Sequence, residues 1–166
     1  MPFLHHITGD GTLSYVQIQK ALQLVIRKHQ SLRTSLIYNS KENILMQIVI
    51  ECNDDDKSLF TLVQNVYETD QEIDNIMEDE RGNSNYFNLS QGLVFRCHIL
   101  RYKKNPCDGF LRERDAIIFN FHHALFDFSS LDLFYYDLNQ AYNNDRLTDY
   151  DDTTLRYIDC KSNFIF

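Results

Sequence analysis

Two histidines followed by an aspartate are the residues of this chain best suited to chemistry. His122 and His123 come directly after an apolar run, and Asp127 follows four residues after the second histidine. An imidazole changes charge near neutral pH, so it can take up or orient the proton of a reacting group. The pattern predicts a buried strand over residues 115–121 and, at its end, a loop that holds a histidine base at the mouth of a cleft.

The same H-H-x-x-x-D spacing occurs a second time, at His5, His6 and Asp10. Spacing alone therefore does not identify the site. The first copy has few preceding residues that could form a supporting strand, and residues 9–11, Gly-Asp-Gly, are typical of a turn. The second copy follows a strand pattern and precedes a helical one, so we predict that it is the functional copy.

Composition excludes several classes of protein. The 166 residues are 43% hydrophobic with only five glycines, which indicates one folded domain with a substantial core. A net charge of -8 argues against a nucleic-acid surface. No apolar run reaches the roughly 18 residues of a membrane span, and the first residues do not resemble a secretory signal. The four cysteines form no C-x-x-C pair, which favours a reducing, cytoplasmic setting.

Hydrophobic periodicity predicts the elements that position the histidines. Strands are expected at residues 4–8, 32–38, 44–50, 93–102 and 115–121, the second and third as a hairpin. Helices are expected from Ser14, over residues 59–77 with a break near Thr69, and after a Ser129 N-cap. The segment 103–112 is expected to be a surface loop. This irregular alternation predicts an α+β sandwich with a mixed sheet rather than a doubly wound sheet.

Three ordered segments resemble the condensation domains of nonribosomal peptide synthetases. Residues 119–130 resemble the H-H-x-x-x-D-G-x-S signature, residues 27–36 the R-H-x-x-L-R-T segment, and residues 86–96 the F-D-L-S-x-x-P-L-x-R segment. Residues 155–159 are similar to the family's Q-Y-x-D-Y run. The resemblance implies one lobe of the chloramphenicol-acetyltransferase-like fold. Residues 1–166 are then expected to be an N-terminal lobe truncated at both ends, without the second lobe, and His5-His6 a turn outside the active site.

The resemblance also implies an activity. Such a domain joins a carrier-bound acyl thioester to an aminoacyl nucleophile in a tunnel between its two lobes. The implied partners are carrier proteins, which deliver both substrates on phosphopantetheine, and the missing C-terminal lobe. No cofactor or metal bound by the chain itself is implied.

Roles for the site residues follow from the same resemblance. His123 is expected to be the base or orienting group. His122 should face the lobe interior, because successive residues at a strand end point to opposite sides. Asp127 is expected to support the loop by pairing with Arg33, and Ser130 is either the family serine or a helix cap.

Phe128 departs from the signature, which has glycine at this position. A phenylalanine adds bulk and disfavours positive φ. The loop is therefore expected to follow a different path or to restrict substrate access.

Three other interpretations compete with catalysis by a condensation lobe. The chain could be a non-enzymatic module that binds carrier proteins or other partners through an exposed tunnel wall. It could be a relative of the wax-ester or diacylglycerol acyltransferases, which share the histidine motif but explain the other two segments less well. A His/Asp metal site is disfavoured, since tetrahedral sites need further convergent ligands. No G-x-S-x-G elbow supports serine hydrolysis.

Overall fold

A four-stranded sheet forms the centre of the molecule. The computed structural model describes residues 1–52 and 59–147. Strands β1 (Pro2–His6) and β6 (Phe95–Tyr102) lie on either side of β8 (Ala116–Phe121), both antiparallel to it, and β5 (Thr61–Tyr67) pairs in parallel with β6. Every residue of β6 and of β8 is buried, so these two strands form a rigid support for whatever follows them.

Helices cover both faces of this sheet. Helices α1 (Tyr15–Lys28) and α3 (Leu131–Asn144) pack on the face that presents Phe119 and Phe121, and α2 (Asp70–Gly82) packs on the face that presents Ile118. Alternate side chains of β8 thus pack into two hydrophobic cores, one on each side of the sheet. The predicted α+β architecture with a mixed sheet is confirmed.

Two short two-stranded sheets complete the described fold. Strands β2 (Leu13–Ser14) and β7 (Phe110–Leu111) pair beside the start of α1, and β3 (Thr34–Asn39) forms the expected hairpin with β4 (Ile44–Val49). In the part of the chain that the structure describes, β4 has no strand on its outer edge. Its Ile44, Leu45, Met46 and Ile48 side chains are all exposed.

Helix α1 begins as the sequence predicts. The Ser14 hydroxyl accepts a hydrogen bond from the backbone N–H of Gln17 at 3.4 Å, which satisfies one of the free donors of the first turn. The Gln17 side chain does not reach back to Ser14 and instead donates to the Tyr142 carbonyl at 2.7 Å. The first turn of α1 is therefore tied to the last turn of α3.

The predicted helix over residues 59–77 is wrong in its first half. Residues 61–67 form strand β5, and the helix begins only at Asp70, with Thr69 as its N-cap. The apolar steps at 59, 62, 63 and 66 fit a helix, but Thr61, Val63 and Val66 are β-branched and suit an extended chain. Pairing with the edge of β6 decides the conformation.

Smaller differences concern the loops and the first strand. The predicted loop 103–112 contains β7, and the predicted strand 4–8 lies two residues earlier, as β1. Residues 155–159, which are similar to the family's Q-Y-x-D-Y run, lie outside the described residues. No helix among the described residues is both long and apolar enough to cross a bilayer.

Candidate functional site: the histidine pair after strand β8

The end of β8 is fixed before the histidines begin. The backbone N–H of His122 donates to the Val94 carbonyl at 2.8 Å, which extends the pairing with β6 by one residue. Three residues later, Leu125 and Phe126 return to the core, where the Phe126 ring stacks on Phe121 with centroids 3.9 Å apart. Because both ends of this short loop are anchored, His123 and Ala124 are held at the surface.

His122 lies half-buried beside an aromatic ring. Its imidazole meets the Phe87 ring edge-on, with centroids 5.4 Å apart, and its Nδ1 accepts a hydrogen bond from the Ala124 N–H at 3.3 Å. An accepting Nδ1 places the ring proton of the neutral form on Nε2. Burial, and then the neighbouring charge of His123, lower the pKa of His122, so the neutral form is favoured.

The two imidazoles lie side by side rather than on opposite sides of the sheet. The His122 and His123 rings stack with centroids 5.1 Å apart and planes 15° apart. The expectation that they point in opposite directions is wrong: the His122 N–H still pairs with Val94, but its ring lies on the same side as that of His123. His123 is exposed, which leaves its ring open to a reacting group.

A small cavity opens beside the pair. It has a volume of about 210 Å³ and is lined by both histidines, Phe87, Glu80 and the end of α2. Met1, Phe121 and residues 81–84 complete its lining.

The expected ion pair between Asp127 and Arg33 is not present. Arg33 donates from Nε to the Arg27 carbonyl at 3.2 Å and from Nη1 to the Ile50 carbonyl. Asp127 is exposed and accepts from the Ser129 hydroxyl and from the Ser130 N–H and hydroxyl, at 2.7 to 3.0 Å. These hydrogen bonds, first of all that from the Ser130 side chain, lower the Asp127 pKa.

Asp127 therefore caps the turn that leads into α3. The expected Ser129 N-cap is wrong: Ser130 precedes Leu131, and it makes no side-chain capping bond. A short 3-10 turn, Phe128–Ser130, comes between the loop and the helix, and its N-cap is Asp127. The aspartate of the motif thus orders the chain after the histidines and does not contact an arginine.

Phe128 occupies the glycine position without backbone strain. Its φ does not fall among the positive values of the described chain, so this loop has no need of glycine's conformational freedom. The side chain is 72% exposed and meets the Phe3 ring edge-on at 5.5 Å. The departure from the signature thus adds an exposed aromatic ring to the loop.

A buried polar cluster, not predicted from the sequence, lies under the histidine pair. The Glu80 carboxylate accepts from Arg96 Nε at 2.8 Å, from His98 Nδ1 at 2.7 Å and from Asn120 Nδ2 at 2.8 Å. Burial is the strongest influence on Glu80 and alone would raise its pKa, but these three hydrogen bonds outweigh it, and the pKa is lowered. A sequence signal exists: Glu80 continues the apolar stripe of Ile73, Ile76 and Met77 along α2.

A second buried carboxylate joins the two helices on the other face. Asp137 on α3 is 2.9 Å from Lys28 Nζ and 2.7 Å from His29 Nε2, both at the end of α1. Lys28 and His29 belong to the segment that resembles R-H-x-x-L-R-T. Their observed role is to hold α3, the helix that follows the histidine loop.

The first H-H-x-x-x-D copy is not a turn as a whole. His5 and His6 form the end of strand β1, opposite Ile117 and Ala116 of β8, and only residues 9 and 10 turn. His5 Nε2 lies 2.7 Å from the Tyr135 hydroxyl. None of the three motif residues of this copy lines the cavity beside His123. Within residues 1–52 and 59–147, no three His, Cys, Asp or Glu side chains converge as metal ligands do.

Comparison with known proteins agrees with this architecture. A family model described as "Condensation domain" matches residues 2–164. A polyketide synthase-nonribosomal peptide synthetase from Aspergillus clavatus is 24% identical over 135 residues, which are 81% of this chain and 3% of that protein. The chain thus spans a very small part of this curated relative.

Solved structures share the fold at low identity. The X-domain from teicoplanin biosynthesis superimposes with a TM-score of 0.69 at 20% identity, over 96% of this chain and 32% of that one. The epimerization domain of the third module of tyrocidine synthetase B gives 0.68 at 16% identity, over 91% and 33%. The condensation domain of the Monacolin K polyketide synthase gives 0.65 at 15%, over 96% and 31%. The chain therefore corresponds to about one third of each.

Proposed function

We propose, since this chain belongs to the condensation domain family, that it is one lobe of an acyltransferase of condensation type. In this proposal it forms an amide or ester bond between a carrier-bound acyl thioester and an aminoacyl nucleophile. The observation that carries the proposal is His123, an exposed imidazole on a doubly anchored loop beside a cavity. The substrates would arrive on phosphopantetheine arms of carrier proteins, and the chain itself would bind no cofactor. A cytoplasmic location stays a prediction.

The chemistry requires one proton transfer. The amine nitrogen attacks the thioester carbonyl carbon, the C–N bond forms, and the C–S bond breaks. His123 takes the proton of the attacking amine, or orients the amine, and the departing thiolate recovers a proton. His122, neutral and stacked on His123, would fix the direction of that ring. Asp127 and Ser130, hydrogen-bonded to each other, would hold the end of the histidine loop in place.

The rest of the reaction site would come from a second lobe. The chain corresponds to about one third of the solved relatives, and the His123 side of the described lobe is open. We propose that a C-terminal lobe of the same fold closes the cavity into a tunnel. Carrier proteins would then deliver thioester and amine from its two ends.

Replacement of His123 tests the catalytic role. In the complete polypeptide that carries this lobe, His123→Ala should reduce amide formation from a carrier-bound donor by about 10²–10⁴-fold. His6→Ala is the matched control, because it removes the second histidine of the other motif copy, and it should leave the rate unchanged. An unaltered rate in His123→Ala would exclude catalysis by this histidine.

A second candidate function is a non-catalytic binding lobe. It is favoured by Phe128, which places an exposed ring at the glycine position of the signature. Among the solved relatives, the X-domain from teicoplanin biosynthesis is found in a complex with OxyB. This candidate predicts that the 166-residue chain binds a carrier protein in calorimetry, while the complete polypeptide shows no turnover that depends on His123.

A further inference from the structure

The buried cluster under the histidine pair joins three elements at one carboxylate. Glu80 lies in the last turn of α2, Arg96 and His98 on β6, and Asn120 on β8. All four are at most 8% exposed, and Glu80 itself is 2% exposed. A buried carboxylate that accepts from three side chains fixes the relative positions of the elements that carry them.

Asn120 links the Glu80 cluster to the end of the strand that leads into the histidine pair. Its Nδ2 donates both to the Glu80 side chain at 2.8 Å and to the Glu80 backbone carbonyl at 2.6 Å. Two donations from one amide leave the end of β8 little freedom relative to α2. His122 follows only two residues later, and Glu80 lines the same cavity as both imidazoles.

The aromatic contact of His122 depends on the same anchor. Phe87 lies five residues after the end of α2, and its ring meets His122 edge-on. The end of α2 on one side and the Asn88–Leu93 bridge on the other therefore hold Phe87 against His122, and the stack with His122 orients the His123 ring.

We infer that Glu80 is a positioning residue for the histidine pair, acting through Asn120 and through the end of α2. This inference deepens the proposed function, on which it rests for its biological meaning. The geometry that it predicts can be measured whether or not the chain catalyses a reaction.

The test compares Glu80→Gln with the wild-type 166-residue chain. The amide keeps the size of the carboxylate but turns a donor towards Arg96 Nε or towards Asn120 Nδ2, neither of which can accept. We expect a folded chain in which NMR cross-relaxation between the rings of Phe87 and His122, and between those of His122 and His123, is lost. Glu78→Gln, on the exposed side of the same helix, should leave both signals unchanged.

A second variant separates positioning from stability. Asn120→Ala breaks the link to β8 but leaves the Glu80 contacts with Arg96 and His98, and it should also disrupt the ring contacts. Intact contacts in both folded variants would overturn the inference, and so would unfolding of both, since Glu80 would then serve stability alone. If His123→Ala leaves the reaction rate unchanged while Glu80→Gln disrupts the stack, only the proposed function fails.

Discussion

The two H-H-x-x-x-D copies lie near opposite ends of the same strand and have different surroundings. His5 and His6 pair with the start of β8, whereas His122 and His123 follow its end. The first two belong to an edge strand, so their side chains point to opposite faces. The second two follow the last residue of β8, and their rings lie side by side.

Agreement with the signature therefore does not by itself place two histidine rings side by side. The copy that lacks the stacked pair is the one that carries the signature glycine, at Gly11, while the stacked copy has Phe128 there. Each end of β8 is also held by its own buried carboxylate. Asp115 accepts from the backbone N–H groups of Tyr102 and Arg112 at the start, and Glu80 accepts from Asn120 near the end.

The largest effect is expected from a variant that disturbs only the start of β8. Asp115→Ala leaves buried donors unsatisfied and should lower the free energy of unfolding by about 3 kcal/mol, measured by urea denaturation. The ring contacts of His122 and His123 should persist in this variant. Glu113→Ala, at an exposed carboxylate two residues before Asp115, serves as control and should change stability little. Loss of the histidine contacts in Asp115→Ala would mean that the two ends are not independent.

Restoring the signature glycine should have a smaller effect. Phe128→Gly removes the edge-on contact with Phe3 and adds backbone freedom, so we expect a loss of about 1–2 kcal/mol in the free energy of unfolding. Phe128→Ala separates the two causes, because it removes the ring and keeps the backbone restriction. In the complete polypeptide, a faster reaction with bulky acyl donors in both variants would identify the ring as an obstacle. Unchanged rates would contradict that assignment.

Replacement of the aspartate in each motif copy should lower the free energy of unfolding by amounts that differ by about 1 kcal/mol. Asp127→Ala removes the cap of the turn before α3 and should destabilise by about that amount, whereas Asp10→Ala in the exposed turn should stay within about 0.5 kcal/mol. A double-mutant cycle of Asp127 with Arg33 should show no coupling, because the two do not touch. Coupling above about 1 kcal/mol would restore the pairing that the family resemblance implied.

The smallest expected difference between the two copies concerns the pKa values of His122 and His5, which NMR titration measures directly. The His122 pKa is lowered by burial and then by His123, while burial alone lowers that of His5. His123→Gln should therefore raise the His122 pKa in NMR titrations, and His6→Gln should leave the His5 pKa unchanged. A lowered folded-state pKa means that the unfolded chain binds protons first. The stability that His122 contributes is thus complete above its unfolded pKa of ~6.5 and is lost as the pH falls towards the folded value.

The sequence predicted those parts of the fold whose local preference and burial agree. Helix α1, the β3–β4 hairpin and strands β6 and β8 have clear periodicity and recognisable ends. The prediction for residues 61–67 was wrong because their apolar spacing suits a helix. Only pairing with the neighbouring edge of β6 makes them a strand. No local pattern contains that information.

The loop that carries the candidate site residues was predicted from the sequence, but the contacts of those residues were not. The histidine loop lies where the pattern indicated, yet the partners of Asp127 and Arg33 differ from those that the resemblance implied. The Glu80 cluster depends on four residues from three elements, which no spacing reveals. The signs of this cluster in the sequence are polar residues within apolar runs, such as Asn120 in a strand otherwise made of Ala, Ile and Phe.

Strand β4 has a consequence for handling the protein. Its sequence, Ile-Leu-Met-Gln-Ile-Val, carries no charge, proline or glycine, and its outer backbone groups have no strand partner in the described chain. Such an edge is a template for intermolecular pairing. When the isolated lobe is concentrated, we expect self-association through this hairpin, and a lysine in place of Leu45 should act as a gatekeeper that keeps the lobe monomeric.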